Sequence, residues 1–251
     1  MSYNILDGGV GRLEQITAVI RGQRPDVVAL VEADDPNIVE QLAVALEMDF
    51  IHAPGNSKAS ALLSRFAIAQ TINHAPLHPE LSKSFLEATV LQGDGEWVVG
   101  VVHLHARATE ADETIRQREI DCVLNIFRPH REARRPHLLA GDFNANSPIQ
   151  QIDPRRCKLS TREAWKQNGG QIPRRVIQAM LDAGYVDSLA VVHPQEARTA
   201  GSFSTEFPGQ RVDYIFTFGI DPRHVSDAWI TYDPPANQAS DHFPVGLEIV
   251  N

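Results

Sequence analysis

Pro136-His137-Leu138-Leu139-Ala140-Gly141-Asp142-Phe143-Asn144 is the stretch whose reading decides the fold. Residues 137–140 predict a short buried strand, and two polar residues, Asp142 and Asn144, follow directly at its end. A charged group beside a buried strand carries a desolvation penalty unless a partner or a cation offsets it. The same arrangement recurs along the chain. Asn4 lies within the first apolar strand, Glu32 follows Val27-Val28-Ala29-Leu30-Val31, and His103 closes Trp97-Val98-Val99-Gly100-Val101-Val102. Asp213 sits inside Arg211-Val212-Asp213-Tyr214-Ile215-Phe216, and Asp241-His242 precedes the last strand.

Working outward, strands and helices alternate. Strands are expected over 2–6, 27–31, 59–64, 68–73, 85–91, 96–103, 137–140, 212–218, 225–232 and 243–249. Apolar residues at helical spacing predict helices over 13–21, 37–46 and 109–128, and a proline at the first turn with Gly184 beyond the end predicts one over 173–183. Gln92-Gly93-Asp94-Gly95 is a hairpin signal, with Asp-Gly supplying the turn. Strands joined so tightly run antiparallel, so the sheet cannot be all parallel. Residues 147–170, with Pro148, Pro154 and Gly169-Gly170, read as a long surface excursion. No linker or repeat divides the chain. The expectation is an α/β protein of packed sheets inside helical layers, one domain over 1–251.

The 251 residues carry 43% hydrophobic content and a net charge of -9. That balance argues against a protein that grips long duplex DNA through a basic face. The densest basic run, 128–135, reads as a solvated helix end, with a docking surface for an anionic substrate as the sharper alternative. Cys122 and Cys157 are too few for a disulfide scaffold and do not have zinc-site spacing. Cys122 is expected to pack in a helix. The chain begins abruptly on a core strand, which suggests that the native protein starts upstream, with a signal peptide as one possibility. No apolar run is long enough to span a membrane, and the expected location is cytoplasmic.

Each polar strand-end residue has a plain structural explanation when taken alone. Glu32 could join a salt bridge, His103 could be a hydrogen-bonded core histidine, Asp142-Phe143-Asn144 could be a turn, and Asp213 could pair with Arg211. Read together, they converge. Asn4, Glu32, Asp142 and Asp241 offer the oxygen ligands that Mg²⁺ and Mn²⁺ prefer. His242 held by Asp213 is the candidate acid–base pair.

Ser-Tyr-Asn4-Ile-Leu, Val-Ala-Leu-Val-Glu32, Ala-Leu-Leu-Ser64-Arg65, Val-Val-His103-Leu, Leu-Ala-Gly-Asp142-Phe-Asn144, Arg-Val-Asp213-Tyr-Ile-Phe and Ser-Asp241-His242-Phe-Pro together resemble the motifs of the endonuclease/exonuclease/phosphatase superfamily, the DNase I-like group. They occur in that superfamily's order from residue 2 to residue 245. The resemblance implies a four-layer sandwich of two mixed β-sheets flanked by helices, with the site at one edge. It implies Glu32 as the main metal ligand beside Asn4 and Asp241, Asp142 and Asn144 positioning water and phosphate, Asp213 orienting His242, and His103 contacting phosphate. Two departures stand out. Val31 occupies a position that is commonly Gln, and residues 58–64 lack the carboxylate that supports the first histidine in DNase I-like members. Strand alternation would put His105 on the same side as His103, at the pocket rim.

The expected activity is metal-dependent hydrolysis of a phosphodiester, nuclease-like or on a small substrate, with a phosphate ester, including nucleic acid, as the partner. Hydrolysis of a phosphomonoester on a metabolite or lipid headgroup is the alternative, and an inactive binding module the remote one. Substrate choice should lie in residues 147–170 and 195–209. No obligate protein partner is evident.

Overall fold

The computed structural model describes residues 1–250. The chain enters as β1 (Ser2–Asn4), crosses through α1 (Leu13–Gln23) and returns as β2 (Val27–Val31), parallel to β1. After α2 (Pro36–Leu46) come β3 (Asp49–Ala53) and β4 (Ser60–Ser64), with β4 antiparallel to both β2 and β3. The second sheet begins as an antiparallel meander of β5 (Ala67–Asn73), β6 (Ser84–Gln92) and β7 (Gly95–His103). Then α3 (Glu110–Ile126) and α4 (Arg128–Glu132) carry the chain over to β8 (His137–Asp142), parallel to β7.

The segment beyond β8 holds α5 (Leu159–Gln167), α6 (Arg175–Asp182), β9 (Val186–Asp187), α7 (Ser188–Val192) and α8 (Glu196–Thr199). The chain closes with β10 (Asp213–Phe218), β11 (Val225–Ile230), α9 (Ala236–Ala239) and β12 (Val245–Ile249). Two six-stranded mixed sheets result, in the orders β11-β12-β1-β2-β4-β3 and β5-β6-β7-β8-β10-β9.

Alternation along each strand explains the layers. Leu86, Ala88, Val90, Val99 and Val101 of the second sheet pack with Val28, Leu30 and Leu62 of the first, in a core between the sheets. Their neighbours Phe85, Val98 and Val102 point the other way and pack with Ile120, Val123, Ile177 and Met180 of α3 and α6. On the outside of the first sheet, Ile16, Ile20, Val39 and Leu42 of α1 and α2 are fully buried. This is the expected sandwich.

The differences from the sequence reading have local causes. β1 stops at Asn4 because Leu6 and Asp7 take left-handed conformations, φ 53° and 46°. β3 was not expected, since its first two residues are exposed and its pattern is weak. The long third helix ends at Ile126, where Phe127 leaves helical geometry before Pro129. The 147–170 excursion is partly packed: it contains α5, and Trp165, Ser147 and Gln150 are buried. Gly141 sits at φ 149° with the space for a Cβ only 1.8 Å from Val102 O, so glycine alone lets β8 press against β7 just before Asp142. No helix among the described residues is long and apolar enough to cross a membrane.

Candidate active site

The topology brings strand ends together. The parallel pair β7–β8 puts His103 beside Asp142, and antiparallel β10 puts Asp213 on the other side of Asp142. In the facing sheet, Asn4 ends β1 beside Val31, and Glu32 follows at φ 55°. Asp241 and His242 arrive from the turn after α9, where the Ser240 hydroxyl donates to Asn4 O at 2.7 Å and ties that turn to β1.

Asp142 is the hub. Its Oδ2 accepts from Asn4 Nδ2 at 3.1 Å and from Asn144 Nδ2 at 3.1 Å, and lies 3.6 Å from His103 Nε2 and 3.8 Å from His242 Nε2. Oδ1 accepts the Asn144 backbone N–H at 2.8 Å, in a turn closed by left-handed Asn144. Burial and then the nearby Asp213 charge push the Asp142 carboxyl up to about 6, against the pull of His242 and Lys83.

His242 Nδ1 lies 2.9 Å from Asp213 Oδ2. Burial alone would push this ring toward neutrality. Asp213 and then Asp142 outweigh it and hold the imidazole up at about 9, charged at neutral pH. Nδ1–H therefore donates to Asp213, and Nε2–H is free to face the centre. The ring rests against Phe203 at 4.6 Å, and Phe203 in turn lies under the Lys158 ammonium at 4.4 Å.

His103 is the opposite case. Burial first, then Lys83, His242 and Lys58, drive it well below the ordinary histidine range. Neutral His103 accepts the Lys83 ammonium on Nε2 at 2.5 Å, and its buried Nδ1 has no partner. Among the described residues no carboxylate reaches Nδ1 in place of the one missing from 58–64; Asp142 Oδ2 stands 3.6 Å from Nε2 instead.

Glu32 receives the Asp7 backbone N–H at 3.0 Å and the Asn4 amide at 3.3 Å, and the Lys58 ammonium lies 3.2 Å away. Burial would raise its carboxyl, but these donors outweigh it and hold it below the usual range. Lys58 also donates to Asp7 at 2.5 Å and to Asp34 at 2.9 Å, so one ammonium sits where three carboxylates meet. Asn4 Oδ1 is taken by the Leu6 N–H at 3.0 Å, so Asn4 presents an N–H to Glu32 and Asp142. Asp241 Oδ2 accepts from Lys158 at 3.0 Å.

Two clusters could draw a cation, Asp142, Asp213 and His242 in one, and Asp7, Glu32 and Asp34 in the other, the atoms of each lying within 4.8 Å of one another; in the first only the two carboxylates can ligate, because the charged His242 ring has no lone pair to give. The oxygen-rich chemistry suits Mg²⁺ or Mn²⁺. The fit is supported by Asp213 Oδ1 and Asp241 Oδ1, both buried without a hydrogen-bond partner, and by the ammonium already drawn into the acidic trio.

A pocket of about 290 Å³ opens over these groups, with Leu6, Arg107, Ser160, Thr161 and Gln210 on its walls. A hollow of about 330 Å³ at the opposite end of the sandwich lies between Trp97 and Trp229 and receives none of the strand-end polar groups.

Every strand-end residue singled out in the sequence meets here. Three other readings are corrected. His105 bonds Asp112 at 2.9 Å, because the strand stops at His103 and alternation no longer applies. Arg211 forks onto Asp187 at 2.9 and 2.7 Å and leaves Asp213 to His242. Asn4, expected as an oxygen ligand, turns its amide N–H inward because the Leu6 N–H holds its Oδ1. The basic run 128–135 is the solvated helix end expected: Arg128 and Arg134 are exposed, and Arg135 pairs with Glu96 at the surface. Lys58, Lys83, Asp7 and Asp34 were missed. The signal for Lys83 was faint: a lone lysine between two serines at the start of a buried strand.

Residues 1–242 match the Endonuclease/Exonuclease/phosphatase family. No curated protein matches the chain. Among solved structures, the 3′ phosphatase NExo from Neisseria bound to product DNA hairpin superposes with a TM-score of 0.74 at 20% identity, covering 99% of this chain and 97% of that one. An AP endonuclease from Archaeoglobus fulgidus gives 0.73 at 17%, with 99% and 97% covered. An endonuclease/exonuclease/phosphatase from Beutenbergia cavernae DSM 12333 gives 0.69 at 22%, with 99% and 70% covered.

Proposed function

This chain belongs to the endonuclease/exonuclease/phosphatase family, whose members are hydrolases of phosphoester bonds, and from that premise we propose that it is a divalent-metal-dependent phosphoesterase cleaving a phosphodiester with water. The observation that carries this reading is the convergence of Asn4, Asn144, His103 and His242 on Asp142 Oδ2.

Asp142 takes the proton of the attacking water. A carboxyl raised to about 6 is a better base near neutral pH than an ordinary aspartate. Asn144 holds it in place through backbone and side-chain N–H groups. Asp213 orients His242, whose charged Nε2–H donates to a phosphoryl oxygen or to the leaving group. His103 accepts from Lys83 and so aims a second positive charge at the phosphate. Glu32, with Asp241 and Asp142 around it, would hold Mg²⁺ or Mn²⁺, and Asn4 would steady the Glu32 and Asp142 carboxylates through its amide N–H. When bound, that cation supplies Lewis-acid stabilisation of charge on the phosphoryl oxygen.

The net charge of -9 favours a small phosphodiester or a nucleic-acid end over long duplex DNA. The DNA-directed names of two structural neighbours put nucleic-acid ends on the list of substrates to assay. A second reading, phosphomonoester hydrolysis, is favoured by Lys83, Arg107 and Lys158, which all line the pocket and suit a terminal dianion.

The test is turnover of a chromogenic phosphodiester and of the matching monoester, with Mg²⁺ or Mn²⁺ and with chelator. Metal-dependent diester turnover above the monoester rate is expected. The reverse order supports the second reading, and no turnover of either substrate leaves a binding module.

A further inference from the structure

A second group of ligating side chains lies apart from the strand ends, on the α3 side of the second sheet. His78 and Glu80 stand on the loop between β5 and β6, and Cys122 stands on α3; one ligand atom of each lies within 4.8 Å of the other two. The loop is braced before any ligand arrives. Asn56 Nδ2 donates to Ala75 O at 3.0 Å and to Leu81 O at 2.6 Å. Glu119, one turn before Cys122 on α3, accepts from Ser82 N at 2.9 Å and from the Ser82 hydroxyl at 2.5 Å.

Neighbouring groups that could compete are already committed. His74 pairs with Glu87 at 2.9 Å, and Glu119 is held by Ser82 and by the His105 N–H at 2.7 Å. Cys122 is a free thiol. Among the described residues, His78, Glu80 and Cys122 make no side-chain hydrogen bond or ion pair of their own. Imidazole, carboxylate and thiolate together form a borderline-soft donor set. It differs from the oxygen-rich strand-end site and suits Zn²⁺ or Co²⁺ over Mg²⁺.

We propose that His78, Glu80 and Cys122 form a separate binding site for a zinc-type divalent ion, with a fourth position open to water. Glu80 is exposed and gives the ion a path from solvent. An ion there clamps residues 78–83 to α3. Lys83, whose ammonium meets His103, is carried on that same segment.

The experiment is titration of the chelator-treated full chain with Co²⁺, followed by absorption. The expected result is a thiolate-to-cobalt charge-transfer band that Zn²⁺ abolishes by displacement. Cys122→Ser removes the band, whereas Cys157→Ser and Glu32→Gln keep it; a cooperative melt of the Cys122→Ser protein shows that it is folded. His78→Ala weakens Co²⁺ binding by at least the roughly tenfold that even an outer partner of a metal site can be worth. Absence of the band in the wild-type chain, its survival in Cys122→Ser, or its loss in Glu32→Gln overturns the assignment.

Discussion

Replacing Asp213 with Asn tests whether the buried pair it forms with His242 keeps that ring charged. The ring titrates at about 9 in the folded chain against 6.5 as its ordinary value. A raised histidine value means that the folded state binds the proton more tightly. The stabilisation is therefore fully present below pH 6.5 and is lost as pH rises through about 9. Proton linkage puts its size near neutral pH at about 2.5 kcal/mol, falling almost to zero at about pH 10. Asp142 titrates at about 6, below this interval, so it adds nothing to the slope. Asp213 is the largest of the groups that raise His242, so most of the effect should go with it. The assay is urea unfolding of chelator-treated wild-type and Asp213→Asn protein at neutral and alkaline pH. Lysines, tyrosines and cysteines titrate in both proteins and largely cancel in the difference. The gap in stability should narrow by about 2 kcal/mol between neutral and alkaline pH. A gap of constant size would refute the reasoning, since it would mean that Asp213 does not set the charge on His242.

Four further outcomes are expected. Lys83→Met should lower kcat roughly a hundredfold at saturating metal, the scale of losing one charge-stabilising donor, as read by steady-state kinetics. Glu32→Gln should raise the Mg²⁺ or Mn²⁺ concentration needed for half-maximal rate, with excess metal restoring part of the activity; an unchanged metal dependence would remove Glu32 from the site. Lys58→Met should act in the opposite direction and lower that concentration, because a cation no longer competes with an ammonium for Asp7, Glu32 and Asp34. Gly141→Ala should destabilise the fold by about 3 kcal/mol or more in chemical denaturation, since its Cβ has no room against Val102 O and the backbone there is strained for any other residue.

The sandwich was legible because buried strands are short apolar runs, and because a tight turn after Gln92 forces an antiparallel pair into an otherwise alternating pattern; the turn residues are Gly93-Asp94, one ahead of the Asp-Gly pair read from the sequence, because Gln92 faces Gly95. Polar residues at strand ends were legible for the same reason: Asp142 and Glu32 stand out against the valines and leucines before them. What stayed hidden depended on three-dimensional partners. β3 escaped because a half-exposed edge strand has no continuous apolar run, and α5 because only Thr161 and Trp165 of its nine residues are buried. Nothing local to Lys58 or Lys83 says that one will sit among three carboxylates and the other against a neutral imidazole. The bond partners of Arg211 and His105 likewise come from distant elements or from where a strand stops. Alternation predicts faces, and it fails at the residue where the strand ends.

The sheet order has a consequence for the growing chain. The second sheet is drawn from one uninterrupted stretch, β5 to β10, whereas the first is sewn from both ends: β1 to β4 and then β12 and β11. During synthesis β1 waits with an unpaired edge while some two hundred residues emerge, and only β12 closes it. Asp241 and His242 come just ahead of β12, so the ribosome releases the last strand of the scaffold and the last members of the polar cluster almost together. A nascent chain halted before residue 240 would thus hold one finished sheet, one sticky border and no complete reaction centre.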